Sequence, residues 1–365
     1  MKKKLVLFCA IMFFVLLAVK PALAEGPAQP ELSLNDAVAR ALTFSEAVKK
    51  ADKEINRTRA LRDQIQLEIG FIPTGAVGNA VEAQFYNLFS ANLTWEVSKK
   101  SLTVEQDKVA LDACNKYWAV QQTLGALEVA EQELKQAKLD LDNARLFQKV
   151  GLISQDALLA AETKYIATKS ALEKAKNELE TAYTAFNQLV GLEPEDRPVL
   201  TDELNYSPLT ETNLDFLVTK VLENSPSVWQ ANKMVELQEI LNEMAFYTGT
   251  YQPYEARKIK LNQTRLDAVS AREATEILTR TIYYSVRTLE DNYPAAEQAV
   301  KLAEENLRVG QVKYQVGTAT RADVVALETA LVKARQSLLE LKKNHAYLKL
   351  VLEKPWAYNA GSLVQ

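Results

Sequence analysis

Residues 130–154 read AEQELKQAKLDLDNARLFQKVGLIS, and residues 296–320 read AEQAVKLAEENLRVGQVKYQVGTAT. In the first, Ala130, Leu134, Ala137, Leu141 and Ala144 alternate spacings of four and three, and in the second Ala296, Val300, Ala303, Leu307 and Gly310 do the same. That rhythm is a coiled-coil seam, and a repeat of about 3.5 residues keeps it on one side of a left-handed supercoil. Each stretch ends in a matching turn, Val150-Gly151-Leu152-Ile153-Ser154 or Val316-Gly317-Thr318-Ala319-Thr320. Glycine suits the left-handed residue that closes a helix. Ser154 and Thr320 suit the N-cap of the next helix, with Asp323 completing a capping-box pattern after Thr320. Beyond each turn the seam resumes, through Ala161, Tyr165, Thr168, Leu172, Ala175, Leu179, Ala182, Phe186 and Leu189, and again through Val324, Leu327, Leu331, Ala334, Leu338, Leu341, His345, Leu348 and Leu352. Short turns make the arms antiparallel neighbours.

Outward from these hairpins the correspondence continues. Leu34 to Val48 can be laid on Leu214 to Val228 at an offset of 180, with Ser45 falling on Ser225. Tyr117-Trp118 matches Tyr283-Tyr284 and Glu162-Thr163 matches Glu328-Thr329, at an offset of 166. The chain is an internal duplication whose second copy has lost 14 residues between Val228 and Tyr283. Its expected class is predominantly all-α: long antiparallel coiled-coil hairpins in two tandem repeats, with at most a short β segment at 80–97. That segment is expected because Val81, Ala83, Phe85, Phe89, Ala91, Leu93, Trp95 and Val97 alternate with mostly polar residues after the break Gly70–Gly78. In the second half, Tyr247 to Tyr254 reads as a turn. The expected boundaries are a signal peptide at 1–24, a first hairpin repeat at 25–190, a linker at 191–212, a second repeat at 213–354 and a tail at 355–365.

The signal peptide rests on Lys2, Lys3 and Lys4, an apolar run from Leu5 to Val19, and Ala22-Leu23-Ala24 before the first acid, Glu25. Its removal takes four lysines and no acid, changing the formal charge from −4 to −8. An acidic chain with interspersed lysines offers no basic patch for nucleic acid. One cysteine, Cys114, would remain, too few for an internal disulfide.

The pattern of openings, aromatic pairs, turns and the closing Leu189-Val190-Gly191 resembles the outer-membrane efflux (TolC-like) protein family over about residues 30–354. The resemblance implies a homotrimer whose long helices form a hollow cylinder. Its tips would meet a periplasmic adaptor protein coupled to an inner-membrane transporter, in the outer membrane or the periplasm. The family's β-barrel is where this sequence departs. Two strands per chain would give about six per trimer, fewer than the roughly eight of the smallest closed barrels.

The partner-binding residues read from the turns are Val150, Gly151, Leu152, Ser154, Val316, Gly317, Thr318 and Thr320. Asp156 and Asp323 are candidate aperture acids, which would favour cations as rings or simply complement a helix N-terminus. Tyr117, Trp118, Tyr283 and Tyr284 either pack or line a path. His345, the one histidine, sits on a seam without a metal-ligating partner nearby in sequence. No nucleophile elbow, zinc helix or nucleotide loop is present, so no enzyme activity, cofactor or metal is expected. The alternative to an export conduit is a cell-envelope structural coiled-coil protein that has lost the pore.

Overall fold

The computed structural model describes residues 31–69, 79–248 and 254–358. The signal peptide at 1–24, the break at 70–78, most of the turn expected at 247–254 and the end of the tail lie wholly or partly outside the described residues. The first half runs from a short strand β1 (Glu31–Leu32) through α1 (Leu34–Phe44), α2 (Glu46–Glu68), α3 (Asn79–Lys149) and α4 (Gln155–Val190). A second short strand, β2 (Val199–Leu200), follows, and then α5 (Leu214–Asn224), α6 (Pro226–Thr248), α7 (Tyr254–Gln315), α8 (Arg321–Glu353) and a 3₁₀ turn (Pro355–Ala357). Among the described residues, β1 and β2 are the only strands, paired in parallel with Glu31 opposite Val199 and Leu32 opposite Leu200.

The same local chemistry starts each half. Ser33 caps α1 through the Asp36 N–H, and Asn213 caps α5 through the Phe216 N–H. Ser45 ends α1 and opens α2, accepting from Val48 N–H at 3.3 Å. Ser225 occupies the matching joint, where Pro226 begins α6, because a missing N–H costs nothing in a first turn. The long helices then pack as two hairpins, α3 on α4 and α7 on α8, joined by an α3–α8 seam and flanked by α2 and α6. At 1.5 Å per residue, α3 with its 71 residues is about 107 Å long.

The segment 80–97 is helical, the opening of α3. A strand would hide Ala83 with Phe85, yet Ala83 is exposed, while Phe85, Leu88, Asn92 and Trp95 are half-buried at spacings of three and four. The alternation was one of two periods the segment carries, and packing against α2 selects the other. Thr58 and Ser98 share a buried hydroxyl–hydroxyl bond of 2.9 Å across α2 and α3, and the Arg62 guanidinium lies 4.2 Å over the Trp95 ring. Helices α2 and α6 are both 23 residues long. The 14-residue difference between halves therefore falls after α6, as a connection five residues shorter and an α7 that starts nine residues nearer its tyrosine pair.

The main core is a belt about the middle of the long helices. It gathers Ala37 and Ala41 of α1, Val109 to Val120 of α3, Tyr183, Phe186 and Val190 of α4, Ile282 to Val286 of α7 and Tyr347 to Leu352 of α8. From this belt the α3–α4 and α7–α8 arms project to their tips, about 50 Å away by helical rise.

Candidate functional site

Both tips are built alike. Gly151 has φ +75° and Gly317 φ +78°, the left-handed conformation that a side chain strains. Leu152 N–H donates back to Phe147 O at 2.8 Å, and Thr318 N–H to Lys313 O at 2.8 Å, while Gly151 and Gly317 donate to Gln148 O and Tyr314 O at 3.0 Å each. These bonds satisfy the last carbonyls of α3 and α7. They leave Val150, Leu152 and Val316 exposed, with Leu146, Phe147 and Tyr314 beside them. A Cβ on either glycine would meet nothing within 4 Å. Small apolar knobs thus stand on open backbone at the end of each arm, Val150 and Leu152 on the first and Val316 on the second.

The acids differ in detail. Asp323 completes a capping box: its carboxylate accepts from Thr320 N–H at 2.8 Å, and its N–H donates to Thr320 Oγ1 at 3.2 Å. Ser154 occupies the N-cap of α4 with no backbone N–H on its side chain. Asp156 is the second residue of its helix and Asp323 the third, so the duplication does not superpose them. Both carboxyls are held below the ordinary Asp value. For Asp156 the chief cause is the Ser154 hydroxyl, and for Asp323 the Thr320 N–H and hydroxyl. Both carboxylates are therefore ionised at neutral pH, with Lys149 at the first tip and Lys313 and Arg321 at the second.

Three of the four paired aromatics are in the belt and one is not: Tyr117, Trp118 and Tyr283 are buried, and Tyr284 is exposed. Tyr117 Oη donates to Leu32 O at 3.1 Å and accepts from Asp202 N–H at 3.0 Å, tying β1 and the segment after β2 to α3. Burial pushes this phenol above its ordinary pKa, so it keeps the proton it donates. Tyr283 Oη donates to Thr212 O at 3.0 Å. Leu32 and Thr212 each precede an N-cap, so the duplicated tyrosine makes the duplicated bond.

A cluster that sequence reasoning missed clamps the linker onto the second hairpin. Buried Glu290 accepts from Leu209 N–H and Arg287 at 2.6 Å each, and its carboxylate lies 3.3 Å from His345 Nε2. Tyr206 stacks on Tyr293 at 3.6 Å and leans on His345, and Lys349 donates to Ser207 O and Pro208 O. Burial would raise the Glu290 carboxyl, but the donors from Leu209, His345 and Arg287 outweigh it and hold the pKa below the ordinary value. The counterparts in the first half are Leu124 and Leu179, so the duplication could not reveal it. The surface carboxylates Asp140, Glu304 and Glu305 meet Lys164, Arg335 and Arg308, and such exposed pairs contribute little.

The two seams between long helices differ in kind. Within a hairpin an apolar centre is flanked by surface ion pairs such as Asp140–Lys164 and Glu304–Arg335, and at Gly310 an added Cβ would come within 2.2 Å of Leu327 Cδ1. Between hairpins, α3 meets α8 through Gln122 with Gln336 and Lys343, Lys135 with Glu328, and Glu133 with Lys333. Among the described residues no helix is long and apolar enough to cross a membrane, and no three or more His, Cys, Asp or Glu residues could hold a metal ion.

No protein-family model and no curated protein sequence matches the chain. Solved structures do. CusC, whose structures concern transmembrane channel formation, matches with a TM-score of 0.66 at 13% identity, over 90% of this chain and 92% of its own. The outer-membrane protein VceC of Vibrio cholerae matches with a TM-score of 0.64 at 15% identity, over 89% and 96%. The outer-membrane channel MtrE of Neisseria gonorrhoeae in its open state matches with a TM-score of 0.60 at 14% identity, over 89% and 88%. CusC and MtrE are described as channels and VceC as an outer-membrane protein, and the fold of this chain is theirs, the TolC-like helical-barrel fold.

Proposed function

We propose that this chain is an export conduit component: copies close into a tube of helices, and the hairpin tips dock a periplasmic adaptor protein coupled to an inner-membrane transporter. The observation that carries the reading is an apolar ridge on α7 with no cover. Leu266, Ile277, Tyr284, Leu302 and Val309 are all exposed. At 100° per residue they fall within about 40° of one line over about 65 Å of helix.

The duplication says what covers such a ridge. In the first half the counterparts of Ile277 and Tyr284 are Leu111 and Trp118, which are 8% and 7% exposed against 66% and 59%. Leu111 is covered where α8 lies beside α3, near Tyr347. On α4 the counterparts of Gln336, Lys343 and Tyr347, residues of the α8 face toward α3, are Ser170, Asn177 and Thr181. These line an open groove of about 540 Å³. A ridge on α7 and a groove on α4 repeat, between copies, the α3–α8 seam within one. A head-to-tail contact of this kind closes into a ring when its rotation closes, and a trimer is the closure that the resemblance implies.

The test is a bifunctional thiol cross-linker on the chain carrying Ile277→Cys, Thr181→Cys and Cys114→Ser. The expected product is a ladder ending at three copies, with light scattering giving the same mass for the unmodified protein. A monodisperse monomer at micromolar concentration would overturn the conduit and favour a structural coiled-coil role.

A further inference from the structure

Helix α8 stops at Glu353, shortly before Pro355, and α6 starts at Pro226. Between those two ends a face of α3 is left open as a furrow. At 100° per residue Val97, Ser101, Val104, Lys108 and Asn115 fall within about 40° of one line, which runs about 27 Å along α3. The part nearer α6 is a cleft of about 300 Å³ whose walls include Trp229, Gln230 and Trp356. The part nearer α8, about 280 Å³, reaches Asp112 and Asn115 and shares Lys108 with the first.

Two half-buried indoles in one open cleft are not a demand of the repeated fold. Their counterparts in the other half are Lys49 and Val190, and that of Lys100 is Leu266. Trp356 is held in place: its Nε1 donates to Asp107 Oδ2 at 2.8 Å, and Asp107, 8% exposed, also accepts from Lys354. Burying a carboxylate is unfavourable unless it is paired, and this one is paired in a way that fixes a ring at the wall of the cleft. Beside the rings stand groups that both donate and accept, the Ser101 and Ser227 hydroxyls and the Gln230 amide. Glu105 is bonded to Lys108 at 2.8 Å, so among the described residues Lys100 carries the uncompensated charge of the cleft, 5.6 Å from the Trp229 ring centre. The first turn of α6 adds positive potential beside it.

An indole covers the C–H face of a pyranose ring, donor–acceptor side chains take its hydroxyls, and a long furrow accepts several such rings in a row. We propose that this furrow binds an acidic oligosaccharide, with Trp229 and Trp356 against its sugar rings and Lys100 on a carboxylate. Its residues are not those of the α7 ridge, the α4 groove or the hairpin tips, and the proposal does not depend on what those bind.

Titration calorimetry of the purified protein with a hexamer of galacturonic acid tests it, beside a neutral galactose hexamer and a hexaglutamate peptide. The uronate should bind, and more tightly than either control. Trp229→Ala and Trp356→Ala should each weaken binding about tenfold, and Phe at both sites should restore part of the loss. Lys100→Gln should remove the preference for the charged sugar, together with its sensitivity to salt. The Trp229 side chain makes no hydrogen bond among the described residues, so Trp229→Ala carries the test if Trp356→Ala disturbs Asp107, with circular dichroism reporting the fold. Co-sedimentation with purified cell-wall sacculi, competed by the uronate, would support the site with a glycan polymer as its ligand. Uronate binding without co-sedimentation would support it with a free acidic saccharide. No uronate binding, binding indifferent to the tryptophan substitutions, or equal affinity for the neutral sugar would overturn the proposal. So would equal affinity for hexaglutamate, which would make an acidic peptide the occupant. Failure of the ring itself shows separately, in the cross-linking ladder.

Discussion

Tyr117→Phe removes one oxygen from the centre of the belt and leaves the ring, which packs edge-on against Phe186 at 6.0 Å between centroids. Two bonds go with it. Leu32 O keeps a second donor, Thr201 N–H at 3.2 Å, so its loss is that of an ordinary bond, about 0.5–1.5 kcal/mol. Asp202 N–H loses its only described acceptor, but Asp202 is exposed and water can replace the hydroxyl, so the second bond falls at the low end of the same range. The expected destabilisation is about 1–2 kcal/mol. Tyr283→Phe loses one bond, to the exposed Thr212 carbonyl, and should cost about 0.5–1 kcal/mol. Urea midpoints of the two variants, read with an unchanged m-value, give both numbers. Equal losses, or a larger loss for Tyr283→Phe, would refute the argument that the phenol of the first half carries the junction between β1 and the linker.

Gly151 and Gly317 have open space around them, so replacing both with Asn should cost little. Replacing both with Leu should cost only backbone strain, about 1 kcal/mol or more each, yet abolish adaptor cross-linking; unchanged cross-linking in the folded Leu variant would leave the tips as mere turns. Because the Glu290 carboxyl is held below its ordinary 4.5, its stabilisation is fully present above that pH and is lost as pH falls through the lower folded value. Denaturant midpoints of wild type should therefore drop more steeply than those of Glu290→Gln between about pH 5 and 3, and parallel acid limbs would contradict it. Burial pushes the Cys114 thiol up to about 11, so a maleimide at pH 7 should label it only after unfolding, and rapid labelling of the folded protein would show the belt to be open. Gly125→Ala gains helix propensity of up to about 1 kcal/mol but drives Gln336 from its bond to the Gln122 carbonyl. A net loss of stability that Gln336→Ala relieves is expected, measured by a double-mutant cycle.

The two hairpins, their turns and their duplication were legible in the residues alone, because seam spacing, a glycine at φ > 0 and an N-cap are local requirements. Residues such as Ala137, Gly317 and Thr320 meet them wherever the chain goes. The seam between hairpins was not legible: Gln122, Gln336 and Lys343 look like a solvated face until α3 and α8 lie side by side. The segment 80–97 carries both a two-residue and a 3.5-residue period, and only contact with α2, through Thr58 and Arg62, decides between them. Tyr117 and Tyr283 were visible as a repeated pair, but their bonds to Leu32 and Thr212 join positions 85 and 71 residues apart, which no local pattern encodes. Glu290 and His345 occur in one half only; they meet across 55 residues and together hold a linker of irregular backbone. Sequence determines what each helix must hide, whereas only the tertiary structure decides which neighbour hides it, since burial depends on every other segment at once.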